Sequence, residues 1–184
     1  MQIDLDTTIQ AAALFLANTP SERMSYLRLL KLLYLADRQM LEQTGRPITF
    51  DRAVAMKHGP VLSEVYDLIK GQHVEAGKWQ RYIGTEGYHA VLKQPCERGL
   101  LSKRAIAVIN EIQDRVSHLD DWALVDQLHS ELPEWEANRP EPDGQNPIPL
   151  SAILETVGFS QEDAKEILAA INAERQLNLS QKSA

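Results

Sequence analysis

The chain has 184 residues, 43% of them apolar and 24% charged. That suits one globular domain with core enough to fold without disulfides or metal. The single cysteine, Cys96, excludes an internal disulfide and a cysteine-built zinc framework. A net charge of −7, from 19 basic and 26 acidic residues, argues against a nucleic-acid footprint and favours a basic protein partner. The apolar run from Ala11 to Ala17 is too short to cross a bilayer, and Met1-Gln2-Ile3-Asp4 lacks the basic start of a signal peptide. A cytoplasmic protein without membrane attachment is expected.

Thr7 or Thr8 is positioned to cap a first helix with Ile9, Ala13 and Leu16 on one face, ended by Asn18-Thr19-Pro20. Ser25 opens a second helix and Gly45 stops it. Between them Leu27, Leu29, Leu30, Leu32, Leu33, Tyr34, Leu35 and Ala36 leave almost no polar face, so this helix is predicted to be buried on several sides. Its exceptions, Arg28, Lys31 and Arg38, are spaced by three and seven residues and form one basic stripe. On a buried helix those charges must reach water, a carboxylate or a partner.

Residues 48–57 read as an extended segment that breaks at Gly59-Pro60, with Pro60 in the first turn of a helix reaching Lys70. That helix presents Leu62, Val65, Tyr66 and Ile69, and Gly71 ends it. Residues 78–94 read as a β-hairpin, with Trp79, Tyr82 and Ile83 before a Gly84–Gly87 loop and Tyr88, Ala90 and Leu92 after it. Ser102 caps a helix with the stripe Ala105, Ile109, Ile112 and Val116. Asp120 or Asp121 caps a short one carrying Trp122, Val125 and Leu128, and Pro133 opens a further turn. The Pro-rich stretch 138–149 is the expected boundary between a domain spanning 1–149 and a helical extension, 150–184, packed on it. In the extension Gly158 separates two helices, Ser160 with Asp163 forms a capping box, and fraying is expected from Asn178.

Motifs that carry chemistry are scarce. His58, His73, His89, His118 and His129 include no i,i+4 pair, and the sequence holds no HExxH, GxSxG, Walker A or GxGxxG pattern. His129-Ser130-Glu131 has the residue types of an acyl-transfer site, but adjacent helical residues do not face one another. Glu131, Glu134, Glu136, Glu141 and Asp143 read as a solvated acidic region. No cofactor and no metal site are expected, and the protein is read as a non-enzyme.

The ordered set Lys31-Leu32-Leu33-Tyr34 with Ala36-Asp37, then Gly59-Pro60-Val61 with Val65-Tyr66, then His129 and Pro133-Glu134-Trp135 resembles the Panacea domain of bacterial and phage antitoxins. That family includes SocA-like and phage-associated proteins. The resemblance spans about residues 5–140. Met56-Lys57-His58 stands where the family has an aromatic or bulky residue before Gly-Pro. The resemblance implies a compact, mainly α fold with one small β-hairpin, and an antitoxin that neutralises a cognate protein toxin by direct contact. It leaves the toxin class open, because members are paired with very different toxins. On this reading Arg28, Lys31, Arg38, Lys57, His129 and Trp135 are the toxin contacts, and Gly59, Pro60 and Tyr66 are structural. Two other classes are an adaptor delivering a toxin to a protease and a small metal-dependent hydrolase. Direct nucleic-acid binding is not expected.

Overall fold

The computed structural model describes residues 3–142 and 144–182, the last nine for their backbone alone. Its elements in chain order are α1 (Leu5–Ala17), β1 (Arg23–Ser25), α2 (Tyr26–Thr44), β2 (Ala53–Met56), β3 (Gly59–Leu62), α3 (Ser63–Lys70), α4 (Ala76–Tyr82), β4 (Ile83–Glu86) and β5 (His89–Leu92). These are followed by α5 (Lys103–Arg115), α6 (Asp121–Glu131), α7 (Pro133–Ala137), β6 (Asn146–Pro147), α8 (Leu150–Thr156) and α9 (Gln161–Lys182). The fold is mainly helical, with two antiparallel three-stranded sheets of order β1-β5-β4 and β3-β2-β6 in place of the single expected hairpin.

Helix α2 is the axis. Every side chain from Leu29 to Asp37 is buried, and α1, α5, α6, α8 and β3 all pack on it. Its ends follow the sequence: the Ser25 hydroxyl accepts from Arg28 N, and Gly45 closes the helix at φ +68°. Glycine suits Gly45 twice over, since a Cβ there would also press Ile167 of α9 at 3.3 Å. Helix α1 is capped by the Asp4 carboxylate rather than by Thr7 or Thr8. Thr7 donates to that carboxylate, and buried Thr8 lies inside the helix with its hydroxyl on the Asp4 carbonyl.

Three further expectations are corrected. Pro60 does not open a helix but lies in β3, paired with Ala55 of β2 across a tip at Lys57-His58. β3 is an edge strand, where a residue without an N–H is tolerated. α3 begins only at Ser63, and its first turn is capped from a distance: the buried Asp51 carboxylate accepts from Glu64 N at 3.0 Å and Val65 N at 2.9 Å. Within α3 the buried residues are Val65, Leu68 and Ile69, and Tyr66 is only half-buried. Trp79 and Tyr82 belong to helix α4, where their i,i+3 spacing buries Trp79, so the hairpin is confined to Ile83–Leu92 and turns at Gly87-Tyr88.

The Pro-rich stretch carries β6, which extends the second sheet by pairing Pro147 with Val54. α8 follows it onto α2 and α7. Ser160 and Asp163 make the expected reciprocal cap of α9, but the helix runs past Asn178 to Lys182. Ser183, Ala184 and Asp143 of the acidic region lie outside the described residues.

Asp51→Ala removes the acceptor of two α3 amides. It is expected to cost about 2 kcal/mol, read as a lowered denaturation midpoint together with faster amide exchange at Glu64 and Val65.

Candidate functional site

The family-like motifs converge on one flank of α2, beneath the β2–β3 hairpin and the α6–α7 corner. Polar residues in an otherwise apolar helix need partners when buried, and each of these finds one in a different part of the chain. The Lys31 amine, 1% exposed, donates to the Pro60 carbonyl at 2.8 Å. The Tyr34 hydroxyl donates to Glu134 Oε1 at 2.8 Å, and Arg38 Nε reaches the same oxygen at 2.7 Å. Asp37 accepts from Ile48 N, Thr49 N and the Thr49 hydroxyl, which fixes the irregular segment leading into β2. Thr49 Oγ1 in turn accepts from Asp51 N, so Asp37, Thr49 and the remote cap of α3 form one chain of bonds.

Gly59 is required here by two independent constraints. Its φ is +95°, and a Cβ would sit 3.2 Å from Lys31 Nζ. Beside it the His129 ring stacks on Trp135 at 4.0 Å with an interplanar angle of 1°. Trp135 is 1% exposed and its indole N–H donates to the Met56 carbonyl at 3.0 Å, tying α7 to the hairpin. Arg28 binds the α5–α6 connection, donating to Val116 O at 2.7 Å and Leu119 O at 2.9 Å, with Asp121 at 3.6 Å.

Burial dominates the electrostatics. With no carboxylate beside it, desolvation alone lowers the Lys31 amine from 10.5 to about 7. Burial raises Asp37 from 3.8 to about 7 and Asp51 to about 6, each against hydrogen bonds that pull the other way. The Tyr34 hydroxyl is raised by burial and then by Glu134. His129 is lowered by burial first and by Lys31 and Arg139 next. Two buried atoms, Glu134 Oε2 and His129 Nε2, have no hydrogen-bond partner among the described residues. No three His, Cys, Asp or Glu side chains among the described residues are grouped to hold a metal ion.

A match to the family model described as "Antitoxin SocA-like, Panacea domain" covers residues 29–136. The chain belongs to the Panacea-domain family. Nothing among curated proteins matches the chain, and no solved structure does. The match runs from Leu29 within α2 through most of α7 and leaves out the first turn of α2 and all of α1, which the core requires: Ile9, Ala11, Ala12, Leu14, Phe15 and Leu16 are all buried in it. Among the described residues no helix is long and apolar enough to cross a membrane.

Of the six residues expected to contact a toxin, the structure turns four inward. Lys31 and Trp135 do not reach the surface, and Arg28 and Arg38 spend their guanidinium groups on internal acceptors. The basic stripe is real as geometry, but β3, α6 and α7 cover it. His129 is half-buried, and Lys57 is exposed at the hairpin tip. Gly59 and Pro60 are buried in β3, with Gly59 against the Lys31 amine; Tyr66 lies elsewhere, under the Lys70 amine at 5.5 Å from its ring. Sequence reasoning missed Asp51, Thr49 and Glu134 as frame residues. Trp122, expected on a short helix with Val125 and Leu128, is 60% exposed and meets the His58 ring edge-on at 5.3 Å.

Two outcomes follow from the buried flank. Trp135→Ala is expected to lower stability by about 3–5 kcal/mol, seen in chemical denaturation. Lys31→Met tests the buried amine through pH. Below about pH 7 Lys31 holds its proton folded and unfolded, so its contribution is constant; between there and 10.5 only the unfolded chain holds it, and wild-type stability rises with pH. The melting-temperature difference, variant minus wild type, should therefore be level below about pH 7 and decline from there to pH 10.5. A flat difference across that range would show that the amine is not held as placed.

Proposed function

We propose that this protein is an antitoxin that neutralises a cognate protein toxin by direct binding, without chemistry of its own. The observation that carries the reading is the family match over 29–136. The internal geometry supports it. On the α2 flank Lys31, Asp37, Asp51 and Glu134 are buried and bonded to backbone or side-chain partners, with Glu134 Oε2 and His129 Nε2 left without one among the described residues. Besides a pocket lined by Tyr34, Asp37, Arg38 and Asp51, the part of this flank open to a partner is the hairpin tip with the outer side of α6. Lys57 and His129 are its members from the expected contact set; Arg28, Lys31, Arg38 and Trp135 hold it from below. Residues 1–149 act as the binding domain in this reading, and 150–184 as a helical extension packed on it.

The test is co-expression with the protein encoded by an adjacent open reading frame whose expression alone arrests growth. Growth should be restored, and the two proteins should copurify with the toxin intact and inactive. Restored growth with disappearance of the toxin would instead mean delivery to a protease. Failure to restore growth against such a toxin would overturn the reading.

A further inference from the structure

The largest exposed aromatic surface on the motif flank is Trp122. It stands in the first turn of α6 with Asp126 and His129 four and seven residues on, so the three share one side of the helix. The His58 ring of the hairpin tip packs edge-on against the indole, and α6 packs on β3. Two elements far apart in sequence therefore build one patch: Trp122, His58, Lys57, Asp126 and His129.

The patch rests on a fixed base. The hairpin is held by Lys31 on the Pro60 carbonyl and by Trp135 on the Met56 carbonyl, and the start of α6 by Arg28. A rigid aromatic presented in this way loses little freedom when it is covered. Tryptophan is also the residue type most enriched where binding energy concentrates.

Charge selects the occupant. Lys57 at the hairpin tip is the patch's cation, and the α6 side outweighs it: from Asp120 to Glu136 the sequence carries Asp120, Asp121, Asp126, Glu131, Glu134 and Glu136 and neither lysine nor arginine. Glu134 is buried. Asp121 has Arg28 and Glu136 has Arg139, whereas Asp126 and Glu131 are exposed with no cation within ion-pair distance among the described residues. Among the described residues the other large exposed aromatic, Tyr88, lies on a different surface. It tilts against Tyr26 beside Lys70 on a hairpin whose rim is the pair Arg23–Glu86, a surface of mixed charge.

Resting on the antitoxin reading, we infer that Trp122 with His58 is the anchor of the toxin-binding face, and that the toxin meets it with a lysine- and arginine-rich surface. The acidic side of α6 steers that surface in, and the indole is buried at the centre of the contact.

The experiment uses the full chain and the purified product of the adjacent growth-arresting reading frame, with affinity and association rate measured at low and high salt. Trp122→Ala should weaken binding by about 30-fold or more. Asp126→Lys combined with Glu131→Lys should slow association and flatten its salt dependence. Tyr88→Ala should leave both unchanged. All of these positions are exposed, and a thermal melt of each variant verifies that it is folded. Wild-type binding that survives Trp122→Ala and the double reversal, or that is lost in Tyr88→Ala instead, would overturn this face while leaving the antitoxin reading standing. A wild-type chain that does not bind the toxin at all would end both.

Discussion

The structure depends on one constraint: α2 is buried on all sides yet carries Lys31, Tyr34 and Asp37, whose polar atoms cannot be left without partners. None of the three is satisfied by its own helix. The acceptor for Lys31 lies 29 residues away and that for Tyr34 lies 100 away. The helix is fully matched only when the loop before β2, the β2–β3 hairpin and α7 are all docked against it. Any arrangement lacking one of them strands a buried polar group, at about 1–3 kcal/mol or more for a charge.

The Lys31–Pro60 bond shows which effect wins. The amine is desolvated without an opposing charge, and its affinity for a proton falls by several orders of magnitude. An apolar side chain of similar volume would avoid that cost, as replacements of buried ionic groups often do. What lysine supplies is discrimination. Its Nζ finds an acceptor only if β3 lies in the observed register, with Gly59 leaving room beside it. A one-residue slip of β3 would exchange the faces of Val61 and Leu62 as well as removing that acceptor. The Arg38–Glu134–Tyr34 cluster acts likewise on α7, whose five residues are too few to form a stable helix alone.

Most local signals, with chemistry and consequence within a few residues, were legible in the sequence, the Asp4 cap of α1 excepted. Ser25, Gly45, Gly71, Ser102 and the Ser160–Asp163 box all mark the helix ends they resemble. Long-range outcomes were not. The α3 cap comes from Asp51, thirteen residues before the amide of Glu64, and no capping pattern reaches that far. Gly59-Pro60 looks like a helix entry until β2 is there to pair with it. The basic stripe of α2 was correctly placed on one side, but whether that side meets water is decided by residues 60 and 134. Helix periodicity alone did not place Trp122, which stands about 160° from buried Leu124 but only about 60° from buried Val125.

The same geometry divides labour between two sets of residues. The side chains that carry the family pattern, Lys31, Tyr34, Asp37, Gly59, Pro60 and Trp135, are consumed by the frame. Buried in this way, they set the fold rather than the outer surface. They determine where the hairpin tip and α6 stand. What those elements carry outward here is the Trp122 indole, the His58 imidazole, the Lys57 amine and the Asp126 and Glu131 carboxylates. Surface substitutions there leave the internal bonds untouched and change stability by a few tenths of a kcal/mol at most, of the order of ±0.5. Such a frame can therefore carry a different outward face without refolding.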